Sequence, residues 1–160
     1  KVALDLNIDK KVIQKTLPLL SFEGRFQYLN KGKIKNKLNR NELIMIDGAH
    51  ATADAQNLAS YLKKIKIPKY GIWAMTKNKE PDLFIKQLKG VFKKIVTMPI
   101  ENEVKSVTAN ELYKIATKNK FKAEKSNNFI EAVKKISSKE KKLIVCFGSL
   151  YNCGNILNQS

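Results

Sequence analysis

The chain has 160 residues, 43% of them hydrophobic and 28% charged, with 31 Lys and Arg against 14 Asp and Glu for a formal net charge of +17. That length fits one domain with one core, and no apolar run approaches the roughly 18 residues that cross a bilayer. The charge invites a nucleic-acid reading. Only Arg25 and Arg40 among the basic residues are arginine, however, and the lysines are scattered among Ile and Asn rather than gathered in a stripe. Solvated surface is therefore the better account than specific nucleic-acid recognition.

From the N-terminus, Asp9 is placed to cap a helix carrying Val12, Ile13 and Leu17, which Pro18 breaks. The sequence begins at Lys1 inside this helix-like stretch, with no apolar core of a secretory signal, so residues 1–20 read as the end of an upstream domain and its linker. Residues 21–160 read as the domain proper. Phe26, Tyr28, Ile34 and Leu38, with Gly32 between, suit a hairpin over residues 21–41. From Glu42 onward, apolar runs at 43–46, 70–75, 94–98 and 143–147 alternate with helix-like stretches at 54–64, 81–89, 109–119 and 127–136. A short strand fits at 121–124, and a final helix follows residue 148. Leu58, Tyr61, Leu62 and Ile65 recur at i, i+3, i+4 and i+7, as do Leu112, Ile115 and Ala116 at the first three steps, which marks core-facing stripes. Residues 137–142 read as a polar turn.

Strands alternating with helices of this length predict an α/β fold, Rossmann-like, with three α/β/α layers around a mostly parallel sheet of five to six strands. Cys146 lies in an apolar run and Cys153 in the last helix. Two reduced structural thiols in a cytoplasmic protein follow, and one His with two Cys gives no tetrahedral zinc set.

The most informative stretch is Leu43-Ile44-Met45-Ile46-Asp47-Gly48-Ala49-His50, an apolar strand ending in an acid, a glycine and the single histidine. It occupies a strand-to-helix turn, the end of an open sheet where ligands gather. With Gly24-Arg25-Phe26-Gln27 upstream, Lys79 within Ala74-Met75-Thr76-Lys77-Asn78-Lys79-Glu80, and Gly148-Ser149-Leu150-Tyr151 downstream, the chain resembles the C-terminal domain of folylpolyglutamate synthase/dihydrofolate synthase, in the Mur ligase superfamily. The resemblance covers about residues 23–157. One departure is Ala51, where that family usually carries Asn.

The resemblance implies a ligase that uses ATP and magnesium to add glutamate to dihydropteroate or (tetrahydro)folate through an acyl phosphate. It implies ATP contacts from Arg25, Asp47 and Gly48, and glutamate contacts from His50, Lys79 and Ser149. Arg25 suits phosphate oxygens because its fork binds them bidentately, and Asp47 suits ribose hydroxyls or, alternatively, the amides of its own turn. Gly48 supplies a free φ for a tight turn. His50, as a neutral imidazole, can accept the proton of the attacking amine and is the candidate catalytic residue. Ser149 can cap the last helix or hold a carboxylate at its positive end. A phosphate loop GxxxxGK[ST] is absent: Gly32-Lys33 is followed by Ile34, and Gln27 stands where the first Gly belongs. The resemblance places that loop and the magnesium ligands in an N-terminal P-loop domain, the expected partner, so this chain reads as half of a site with no metal residues of its own. The competing readings are a catalytically inactive remnant or interaction domain of the same family and, behind it, a lysine-rich nucleic-acid binder.

Overall fold

The computed structural model describes residues 22–159 together with Val12; the helix and linker expected over residues 1–20 lie outside the described residues, Val12 excepted. Six strands form one sheet in the order β1-β2-β6-β3-β4-β5, made of β1 (Gln27–Tyr28), β2 (Glu42–Asp47), β3 (Lys69–Trp73), β4 (Lys94–Thr97), β5 (Ala123–Lys125) and β6 (Lys142–Phe147). All pairings are parallel except β1 against β2, which confirms the expected mostly parallel α/β class.

Among the described residues 22–159, six helices complete the layers: α1 (Lys33–Asn36), α2 (Thr52–Lys63), α3 (Pro81–Lys86), α4 (Ala109–Lys118), α5 (Phe129–Ile136) and α6 (Leu150–Asn158). Winding from β2 to β5 runs one way across the sheet, and β6 then returns to fill the gap left between β2 and β3. Crossovers of a single hand must place helices of opposite winding on opposite faces. Accordingly α2, α3 and α4 pack Leu58, Leu62, Phe84, Leu112 and Ala116 against Met45, Trp73, Val145 and Phe147 on one face. On the other, Phe129, Val133, Ile136, Cys153 and Ile156 of α5 and α6 meet Ile44, Ile46, Ile72, Ile144 and Cys146. Strand β6, central and buried at all six positions, is apolar on both sides because both sides are covered.

Two expectations change. The segment 21–41 contributes only one strand arm, β1, whose partner is β2, with Gln27 opposite Ile46 and Tyr28 opposite Met45. Ile34 instead lies on the single-turn helix α1 and is buried with the α5–α6 face, so an apolar spacing that suits a second strand arm is used by a helix. Residues 137–142 are also more than a polar turn. Ser137 and Ser138 donate to the buried Glu42, and Lys142 already belongs to β6.

Candidate functional site

Register builds the site. Asp47 pairs with Phe147, and Phe147 pairs with Trp73, so the carboxyl ends of β2, β6 and β3 finish level with one another. The chain leaves β2 for α2 on one face and β6 for α6 on the other, so a crevice opens between these diverging exits, where ligands bind in open α/β sheets. The crevice is a cleft of about 430 Å³ lined by residues that include His50 after β2, Thr76, Asn78 and Lys79 after β3, Glu103 and Lys105 after β4, and Gly148, Ser149 and Tyr151 after β6. The three expected glutamate-side residues, His50, Lys79 and Ser149, thus meet in one cleft although 99 positions separate the first from the last, counting from 50 to 149. Thr76, Asn78, Glu103, Lys105 and Tyr151 line it too, and the sequence singled out none of them. The loops bearing them are tied together: Thr76 bridges Ser106, and Lys77 N–H donates to the Lys105 carbonyl at 2.7 Å.

His50 is fixed at its backbone and at its ring. Its Nδ1 lies 2.8 Å from the Gly48 carbonyl. A carbonyl only accepts, so in the neutral ring Nδ1 carries the hydrogen and Nε2 keeps its lone pair, the form a base requires. Ser149 is the N-cap of α6, its hydroxyl accepting from the Asn152 N–H. The capping role is therefore realised, and the hydroxyl's own O–H remains free to join the amides of the first turn of α6 in meeting an anion. Gly148 has φ of +108°, and a Cβ there would sit 2.8 Å from the Trp73 ring, so the strand-to-helix turn needs glycine on both counts.

Arg25 lies beside the cleft rather than in its lining. It occupies a sharp turn in which Gly24 (φ 71°) and Phe26 (φ 44°) are both left-handed. The other motif residues brace this turn. Gly24 N–H donates to Gln27 Oε1 at 2.8 Å, Phe26 N–H donates to Asp47 Oδ2 at 2.8 Å, and Gly48 N–H donates to the Gly24 carbonyl at 2.6 Å. Asp47 Oδ1 accepts from Ala49 N–H at 2.8 Å. Asp47 is only 1% exposed, and each of its oxygens is engaged by a backbone N–H. In this structure it fastens the Arg25 turn to the end of β2 and presents no open face to a ribose. Burial pushes its pKa up, against the pull of those two N–H groups and of Arg25.

Gly48 differs from its expected role as a residue with free φ: it is not among the glycines of positive φ. What it provides is space, since a Cβ would collide with the Leu150 side chain and lie 3.3 Å from the Gly24 carbonyl. Asp54, which the sequence marks only as the start of a helix, belongs to the site's surroundings as well. It stands at the third position of α2, ion-paired to Arg25 Nη1 at 3.8 Å and 3.9 Å from His50 Nδ1. Its spacing of four from His50 was the available signal. Cys153, behind the turn, is buried and its pKa is pushed up to about 12 by burial and by Asp47, so it is no nucleophile. Among the described residues no group of three His, Cys, Asp or Glu side chains is placed to hold a metal ion.

Residues 30–159 match the family described as dihydrofolate synthetase, C-terminal domain. The chain belongs to this family. Solved structures agree on the fold. Escherichia coli FolC in complex with DHPP and ADP superposes with a TM-score of 0.74 at 17% identity, over 98% of this chain and 36% of that one. Mycobacterium tuberculosis folylpolyglutamate synthase complexed with ADP and AMPPCP gives 0.76 at 17% identity, over 95% and 35%. The bifunctional folylpolyglutamate synthase/dihydrofolate synthase of Yersinia pestis, complexed with AMPPNP and Mn ion, gives 0.75 at 17% identity, over 96% and 35%. The chain therefore spans about a third of the length of these relatives. No curated protein sequence matches it. No helix among the described residues is long and apolar enough to cross a membrane.

Proposed function

We propose that this dihydrofolate synthetase C-terminal domain is the glutamate-side and phosphate-side half of an ATP-dependent ligase that adds glutamate to dihydropteroate or (tetrahydro)folate, completed by an N-terminal P-loop domain. The observation that carries the reading is the convergence of His50, Lys79 and Ser149 from three separate loops on one cleft at the carboxyl end of the sheet. Lys79 and the α6 amides offer positive groups to carboxylates, and Lys105 adds a second ammonium on the facing loop. His50, held in the Nδ1–H form, offers Nε2 to the ammonium of an incoming amino acid and takes its proton, leaving a nucleophilic amine. Arg25, braced by Asp47 and Gln27, presents a partly exposed guanidinium beside His50, suited to phosphate oxygens. ATP, when bound, would supply the phosphoryl group that activates the acceptor carboxyl. Its magnesium would be held by the P-loop domain.

The two buried free thiols, Cys146 and Cys153, are consistent with a cytoplasmic setting. The reading of an inactive remnant has one observation on its side: α2 begins on Ala51, an N-cap with no side-chain acceptor, beside the proposed base. A reconstitution assay separates the two. The purified chain mixed with a P-loop domain of the same family should incorporate labelled glutamate into dihydropteroate or folate in an ATP-dependent manner, and neither half should do so alone. Substitution His50→Ala should lower kcat by a factor of about 100 to 10,000, the usual worth of a general base. Absence of incorporation by the mixture, with both halves folded, would favour the remnant.

A further inference from the structure

We propose that Asp54 is the positioning residue that ties Arg25 and His50 into one unit at the edge of the cleft. The proposal rests on the ligase reading for its purpose and on geometry for its substance. A single oxygen, Asp54 Oδ2, accepts from His50 N–H and from Ala51 N–H at 3.3 Å each, lies 3.8 Å from Arg25 Nη1, and lies 3.9 Å from His50 Nδ1. The first two contacts are ordinary capping: a carboxylate at the third helical position reaches back to the backbone N–H of the N-cap and of the residue before it. The second two are more than capping requires. Among the described residues no other carboxylate forms an ion pair with the Arg25 guanidinium, so Asp54 is its nearest steering charge while Asp47 attracts it from further off.

Energetics separates orientation from stability here. The Arg25 and Asp54 side chains are 35% and 30% exposed, so solvent screens their attraction and the pair adds little to folding. It still removes rotamer freedom from a side chain whose proposed task is to meet phosphate oxygens at a set place, and it ties that place to the ring that would take the amine proton. The loose spacing of 3.8 Å also leaves the guanidinium free to turn a second edge toward an anionic ligand while keeping its tether.

The single histidine of the chain makes this measurable. Its ring proton signals need no assignment among other histidines, and they should be recorded on the whole chain at pH 8. Arg25→Ala should displace the His50 ring signals in the wild-type background and leave them in place in an Asp54→Asn background, because the route between them has been cut. Asp54→Asn keeps an oxygen for the two backbone N–H groups, so its melting temperature should stay close to wild type, and a role confined to capping would move neither signal set. Adding Ala51→Asn to Asp54→Ala caps other N–H groups of the first turn and should offset part of the lost stability without bringing back the Arg25–His50 coupling. In the reconstituted ligation assay, Asp54→Asn should lower kcat by up to about 100-fold, the scale of a small misplacement of reacting groups, with KM for glutamate changed less. Equal displacement of the His50 signals by Arg25→Ala in both backgrounds, or none in either, would overturn the proposal. Coupling present in a protein that never supports turnover would instead sink the ligase reading and leave the positioning intact.

Discussion

The end of the sheet opposite the cleft carries a prediction about what the fold depends on. Glu42 opens β2 and Lys142 opens β6, paired in register, with side chains 0% and 2% exposed and Glu42 Oε1 3.8 Å from Lys142 Nζ. Glu42 accepts from Asn39 N–H at 2.9 Å, Ser137 Oγ at 2.8 Å and Ser138 N–H at 2.8 Å. Lys142 donates to the Ile136 carbonyl at 2.8 Å and lies 4.7 Å over the Tyr70 ring. The two sides are unequal. Glu42→Ala takes the nearest counter-charge from the buried Lys142, which keeps the Ile136 carbonyl, Ser138 Oγ and Glu140 at 3.9 Å, and removes the shared acceptor of Asn39 N–H, Ser137 Oγ and Ser138 N–H; together these losses should cost about 3–4 kcal/mol. Lys142→Met leaves a carboxylate that still holds three donors, keeps most of the apolar stem, and should cost about 1–2 kcal/mol. At about 2–4 °C per kcal/mol for a chain of this size, melting temperature should fall by about 10–15 °C for the first and by less than half of that for the second. Thermal and urea unfolding followed by circular dichroism measure both. Equal losses, or a larger one for Lys142→Met, would refute the claim that Glu42 organises the α5–β6 connection and that Lys142 only neutralises it.

The glycines of the cleft should answer differently to the same change. Gly148→Ala forces a Cβ onto a residue of φ +108° and against the Ala74 carbonyl and the Trp73 ring, and should cost about 3 kcal/mol or more in urea unfolding. Gly48→Ala collides mainly with the half-exposed Leu150 side chain, with the Gly24 carbonyl a tight 3.3 Å away, and should cost about 1–2 kcal/mol, a good part of it recovered in the double variant with Leu150→Ala. With falling pH, Asp82, Glu111, Glu131 and Glu140, all held below the usual carboxylate range by hydrogen bonds from Lys86, Thr108, Asn127 and Lys93 respectively, contribute stability that is present above their unfolded values near pH 4 and is lost as pH drops through their folded ones. Asp47, raised by burial, acts with the opposite sign and relieves the fold as it takes a proton. Four against one predicts a melting temperature that is flat from pH 7 to about 5 and falls below about 4; a steady rise on acidification would contradict the assignment.

What the sequence disclosed, and what it hid, follows from the range of the forces involved. The strands and helices from Glu42 onward were legible because burial on two faces imposes local periods, runs such as 143–147 and stripes such as Leu58-Tyr61-Leu62. His50, Lys79 and Ser149 were legible because each follows an apolar strand, and the sheet brings strand ends together whatever their separation along the chain. The start of α1 at Lys33 was not, because a single turn leaves no period to read and its one anchor, Ile34, is selected by the distant α5–α6 face. The burial of Glu42 and Lys142 was not legible because charge carries no mark of the partner that will bury it. Asp47 was visible as a candidate site residue, yet the more specific fact is tertiary: one of its oxygens is engaged by the backbone of a turn 21 residues upstream.

That last point changes how the motifs work together. Gly24-Arg25-Phe26-Gln27 and Asp47-Gly48-Ala49-His50 behave as one construction, in which Asp47 and Gly48 hold the backbone of the upstream turn, Gln27 closes it, and Asp54 steers the guanidinium that it presents. Most of these residues therefore have to be right for Arg25 and His50 to be placed, and few of them need touch a ligand. Substitutions at Gln27 or Asp47 should then reach activity through the position of Arg25, with stability loss as a second and separable effect. A Gln27→Ala variant of near-native melting temperature that also supports the wild-type rate in the proposed reconstitution assay would show that the turn needs no such bracing.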